Sequence, residues 1–166
     1  MNRRDLLTSA CCAAPFLLLP GVSAQSKSST SQYSGSPEDR TSLKKTGDAI
    51  RSAYARGDAE GILAYHHPDV IKALSYQNYL VGIDAFRANL IGTLQAVTIE
   101  FIENTAESTL FQTGTAIETS LFAIKVTPKA SGTPSIFKGR SMVVYVQHAA
   151  SPTGWASVRE VVQPAS

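Results

Sequence analysis

The sequence predicts an α+β fold, with helices in its first half and an antiparallel sheet in its second. Two observations carry this. Apolar residues recur at three- and four-residue spacing up to about residue 95, and at two-residue spacing beyond it. The later runs are also separated by short turns, so strand follows strand without an intervening helix.

The first helix opens at Ser36-Pro37-Glu38-Asp39. Serine suits the cap, proline the first turn, and the two acids the positive end of the helix dipole. Leu43, Ala49, Ile50, Ala53 and Tyr54 give it one apolar side, and Gly57 ends it. Asp58 caps a second, short helix from Ala59 to His66, which Pro68 stops. Val70 to Leu74 reads as a short strand. A third helix runs from Ile83 to Gln95, with Ile83, Phe86, Leu90, Ile91 and Leu94 at helical spacing.

Val97, Ile99 and Phe101 then alternate with Thr98 and Glu100. Three further strand-like runs follow, Thr115 to Val126, Phe137 to His148 and Trp155 to Val162, rich in β-branched and aromatic residues. Pro128, Gly132 and Pro134 mark one turn, and Ser151-Pro152-Thr153-Gly154 another. One of these runs is apolar on both sides: Met142, Val144 and Val146 on one, Val143 and Tyr145 on the other. The helices cover one face of the sheet. The other requires a cover of its own, and a homodimer through the sheet is the expectation.

Residues 1–24 read as an export signal. Arg3 and Arg4 precede an apolar stretch from Leu6 to Leu19, and Val22-Ser23-Ala24 places small residues at a cleavage site. The apolar stretch is shorter than the roughly 20 residues that a bilayer span needs. Arg3-Arg4 also fits a twin-arginine motif, with ordinary export the alternative. The expected destination is the periplasm or the exterior, with membrane contact only during export. Residues 25–37 are serine-rich and read as a flexible linker. The domain proper then spans 38–163.

Both cysteines, Cys11 and Cys12, lie in the signal. The exported domain is therefore expected to work without a disulfide, a thiolate nucleophile or a cysteine-based metal site. Losing Arg3, Arg4 and Asp5 leaves it nearly neutral, with no basic run, which argues against nucleic-acid binding. No P-loop, dinucleotide fingerprint or Ser-His-Asp arrangement is present, and no cofactor is expected. His66-His67 is a poor chelate, because adjacent side chains on a helix diverge by about 100°. One of the two is expected to cap the helix end, where its positive form is favoured. No metal site is expected.

Several stretches, taken in order, resemble the nuclear transport factor 2-like superfamily in its SnoaL-like branch. They are Gly57-Asp58-Ala59-Glu60, Tyr65-His66-His67-Pro68-Asp69-Val70, Gly82-Ile83-Asp84-Ala85-Phe86 and Gly154-Trp155. The resemblance covers about residues 38–163. It implies a cone-shaped roll: a curved sheet wrapped on three helices from the N-terminal half, with a pocket at its open end. The superfamily includes ketosteroid isomerase, polyketide cyclases, dehydratases and non-catalytic modules, so fold alone does not assign an activity. Isomerase-like members use a carboxylate base late in the first strand region. Here that place falls at about Leu74, followed by Ser75 and Tyr76, and no carboxylate is available.

The candidate residues follow from this. Tyr54, near the end of the first helix, is either a pocket donor or a core aromatic. Tyr76 and Tyr79 lie in the loop before the third helix, where the implied pocket mouth would be. Glu100, Glu118, Arg140, Arg159 and Glu160 are charges on expected strands. Such charges usually mark a wet face. In the sharper alternative Glu118 and Arg140 point into the cone, Glu118 as general base and Arg140 as a holder of an anionic group. Glu118, Tyr54 and Tyr76 then form the acid–base set, while Arg140, Tyr79, Tyr65, Phe86 and Phe122 contact ligand. Trp155 reads as packing. Three functions fit: binding of a small apolar or weakly anionic ligand; an isomerase, cyclase or dehydratase acting on a carbonyl compound; or a dimeric interaction module with a closed pocket.

Overall fold

A computed structural model describes residues 33–165. The export signal, both cysteines and linker residues 25–32 lie outside the described residues. Helix α1 spans Pro37–Arg56, α2 Ala59–Leu63 and α3 Ile83–Ala96. The strands are β1 His66–Ala73, β2 Tyr79–Val81, β3 Val97–Gln112, β4 Thr115–Pro128, β5 Ser135–Gln147 and β6 Trp155–Pro164. They form one curved sheet in the order β2-β1-β6-β5-β4-β3, with the three helices packed on it.

The helix ends form as their residues dictate. Ser36 Oγ accepts from the Asp39 backbone N–H at 3.0 Å, and the Asp39 carboxylate accepts in return from the Ser36 N–H, closing a capping box. Gly57 ends α1 at φ 67°, a left-handed conformation that favours glycine. Asp58 Oδ1 accepts from the Gly61 N–H at 2.8 Å and starts α2. The last residues of the expected linker are packed rather than free. The Phe111 N–H donates to the Tyr33 carbonyl at 2.8 Å, and the Arg40 guanidinium donates to the carbonyls of Ser34 and Gly35.

Strands β3 to β6 form the expected antiparallel meander, but β1 joins the sheet parallel to β6. The sheet is therefore mixed. The same pairing shortens α2. His66 lies beside Ser157, the Ser157 N–H donates to the Tyr65 carbonyl at 2.9 Å, and the chain is extended well before Val70. Pro68 cannot donate to a ladder, and it falls where the β1–β6 register shifts, between His66 and Ile71. The loop before α3 also holds a strand, β2, which pairs antiparallel with the end of β1.

The core lies in two parts. One gathers Ala53, Ile62, Val70, Phe86 and Leu90 between the helices and β1. The other gathers Leu43, Phe111, Ala116, Tyr145 and Trp155 between α1 and the sheet. Trp155 is 3% exposed and donates from its indole N–H to Ser42 Oγ at 2.9 Å, so it is a packing residue with its polar edge satisfied. The concave side of the sheet between the two clusters encloses a cavity.

Candidate functional site

Strand alternation decides which side chains reach the cavity. On β4, Glu118, Ser120, Phe122 and Ile124 face inward. On β5 the inward set is Phe137, Ser141, Val143 and Tyr145. Gly139 continues that row and lies opposite Phe122. A Cβ there would meet the Gln163 carbonyl at 2.6 Å and the Phe122 ring at 3.1 Å, so the site admits the ring only because residue 139 lacks a side chain. β6 contributes Ser157, Glu160 and Val162, β1 contributes His66 and Lys72, and Leu74 follows directly after β1. Tyr54 from α1 and Phe86, Asn89 and Leu90 from α3 close the cavity, whose volume is about 350 Å³. That is at the small end of the range for small-molecule sites.

Two charged groups of the wall meet where β1 and β6 run in parallel. Lys72 and Glu160 are direct neighbours across the two strands, and their side chains form an ion pair. Lys72 is 4% exposed, and its Nζ sits 4.5 Å from the centre of the Phe86 ring. The ring face is negative and holds the ammonium. The His66 ring lies tilted against that of Phe86, centroids 4.7 Å apart, and donates from Nδ1 to the Ile62 carbonyl at 2.9 Å. That bond leaves Nε2 as an acceptor. Ser157 Oγ is buried with no hydrogen-bond partner, the one such side-chain atom among the described residues.

Burial holds the His66 imidazole well below its ordinary pKa, and the nearby Lys72 ammonium adds to the effect. His66 does bond a helix-end carbonyl, as the sequence implies, but it does so neutral. Desolvation and the lysine outweigh the helix dipole. The unfolded chain takes up a proton near pH 6.5 that the folded chain refuses, so stability should fall as pH drops below that value. The expected loss is up to about 1.4 kcal/mol per pH unit until the folded-state pKa is reached. Urea unfolding between pH 7 and 5 checks this, and His66→Gln should flatten the dependence. His67 turns away, its ring 4.9 Å from that of His148.

Tyr54 and Tyr145 are neutral phenols. Burial pushes the ionisation of both far up, with Glu160 adding for Tyr54 and Glu118 and Glu160 for Tyr145. Glu118 accepts long hydrogen bonds, both at 3.4 Å, from Thr109 Oγ1 and Ser120 Oγ.

Of the residues singled out in the sequence, Tyr54, Glu118, Phe86 and Phe122 line the cavity. Arg140 does not reach it. It lies opposite Leu121, one step out of phase with Glu118, and grips Glu107 on the outer face at 2.6 and 2.9 Å. Tyr76 is 95% exposed and Tyr79 is 59% exposed. Strand β2 pairs with the edge of β1, which carries both tyrosines away from the cone. Tyr65 is half-buried outside the cavity wall, and its role is a backbone one, to Ser157. The sequence reading missed Lys72 and Ser157 and left Glu160 among the charges of a wet face. A signal existed for Lys72: it shares strand parity with Val70 and Leu74.

No protein-family model and no curated protein sequence matches the chain. Solved structures do. A conserved protein from Planctomyces limnophilus superposes with a TM-score of 0.68 at 21% identity, over 76% of this chain and 98% of that one. A ketosteroid isomerase-like protein from Erwinia carotovora atroseptica gives 0.61 at 18% identity, over 79% and 99%. A nuclear transport factor 2-like superfamily protein from Salmonella enterica serovar Typhimurium gives 0.63 at 11% identity, over 76% and 91%.

Proposed function

On the nuclear transport factor 2-like fold that this chain shares, we propose an exported domain that binds a small, mainly apolar molecule through one oxygen function. The observation that carries this reading is the cavity itself. Its walls are largely apolar, yet they include a buried lysine, its carboxylate partner and a serine hydroxyl that lacks a partner. A buried polar atom without a partner is costly, and a ligand oxygen would satisfy it. The order of motifs along the sequence supports the SnoaL-like branch, and residues 1–24 support export. Calorimetric titration with small aromatic ketones, aldehydes and alcohols tests the reading. Leu74→Trp, which narrows the cavity, should abolish binding. Arg140→Ala, on the outer face, should leave affinity within about two-fold. Equal loss in both would overturn the assignment of the site.

A second reading, acid–base chemistry on a bound carbonyl compound, is favoured by one feature. The carboxylates Glu118 and Glu160 share the cavity with the neutral phenols Tyr54 and Tyr145, so proton acceptors and donors converge there.

The outer face of the sheet supports a homodimer. Leu110 pairs with Ile117, and Met142 with Val161; all four are apolar and between 37% and 53% exposed. A second copy would cover this face. Light scattering at micromolar concentration should return twice the chain mass, and Met142→Glu should halve it. A wild-type monomer would refute the dimer.

A further inference from the structure

We propose that Lys72 is an imine-forming residue: its ε-amino group condenses with the carbonyl of a small apolar aldehyde or ketone in the cavity, and Glu160 carries the protons. The proposal rests on the small-ligand reading and adds a reaction to it.

Lys72 sits in the cavity wall, with its side chain only 5% exposed. Fold stability does not require a charged pair there, since apolar residues of the same volume serve as well or better. The ammonium has three N–H groups. One meets Glu160 and the ring face of Phe86 offers a place for another. The third has no acceptor among the described residues, and the cavity is where a ligand carbonyl oxygen would meet it. The formal charges of the wall balance, Arg51 and Lys72 against Glu118 and Glu160, and a neutral carbonyl keeps that balance.

The chemistry needs a neutral amine and an acid, and the pair supplies both. Lys72 passes one proton to Glu160. The Nζ lone pair bonds to the carbonyl carbon, and the carbonyl oxygen takes the proton from Glu160, giving a carbinolamine. A second proton moves from nitrogen through Glu160 to that hydroxyl. The carbon–oxygen bond breaks and water leaves. The sum is ammonium plus carbonyl to protonated imine plus water, with no oxidant or reductant. The Glu160 carboxylate ends as counter-ion to the iminium. Ser157 Oγ, which has no partner, lies in the same cavity wall, and the cavity holds a bound carbonyl beside the amine rather than leaving the encounter to diffusion.

Benzaldehyde with cyanoborohydride traps the imine as a stable benzyl amine. Incubating the full chain at neutral pH should place a single benzyl group on Lys72, about ten-fold faster than on the exposed Lys44 or Lys138. Lys72→Arg, which keeps a cation beside Glu160, should lose that adduct, and Glu160→Gln should slow it. The peptide map of the wild-type chain decides alone if a variant fails to fold. Labelling spread evenly over exposed lysines overturns the proposal. If benzaldehyde shifts the melting temperature without reaching Lys72, the imine is refuted and the small-ligand reading stands. If neither it nor any other small carbonyl or alcohol binds, both fall.

Discussion

Glu160→Ala should lower the stability of the folded domain by about 3 kcal/mol, the cost of leaving a buried charge without its partner. Lys72 is the deeper member: its side chain is 5% exposed against 21% for Glu160. The two single variants are therefore unequal. Lys72→Met removes the buried charge itself and leaves a carboxylate that water partly reaches, so its cost should be smaller, about 1–2 kcal/mol. The double variant Lys72→Met/Glu160→Leu should return to within about 1 kcal/mol of wild type, or exceed it, because an apolar pair of similar volume needs no desolvation of ions. Urea unfolding of all four proteins checks this order of stabilities. If Glu160→Ala matches wild type, the ion pair is not the buried contact described above.

Phe86→Ala should cost about 4 kcal/mol, in the range for a large buried ring replaced by a methyl. Phe86 is 2% exposed and joins three features: the helix core, the His66 ring and the Lys72 ammonium. Its loss removes dispersion contacts from the first, and it enlarges a cavity that already exists. Phe86→Leu keeps most of the volume and should cost much less. The pair also separates packing from recognition. The leucine variant should fold well yet bind aromatic ligands more weakly, since the ring no longer forms that wall. Thermal unfolding with and without ligand reads both effects. A Phe86→Ala variant as stable as wild type would mean that neighbouring side chains collapse into the space.

The local signals in this chain are accurate where structure is local. Ser36, Asp39, Gly57 and Asp58 mark helix ends because caps depend on a few adjacent residues. The change of apolar period near residue 96 marks the passage from α3 to β3 because side-chain direction follows backbone geometry. Errors begin where a distant strand decides. His66 belongs to a strand only because Ser157, far along the chain, runs beside it. Tyr79 belongs to β2 because Ala73 offers a free edge. The site has the same character. Glu118 and Arg140 both lie on strands, and only the β4–β5 register sends one inward and the other outward.

By itself the sequence determined the α+β order of elements, the helix caps, the positions of most strands and the resemblance to one fold family. It also placed Tyr54, Glu118, Phe86 and Phe122 among the candidates. Tertiary structure alone decided that β1 lies parallel to β6 and that Lys72 and Glu160 therefore meet inside the cone. The physical reason is range. Periodicity reports which side of its own element a residue occupies, whereas a buried ion pair forms between strands whose separation in sequence carries no local trace. A charge that alternation assigns to solvent lies in the interior when a neighbouring strand brings its opposite within bonding distance.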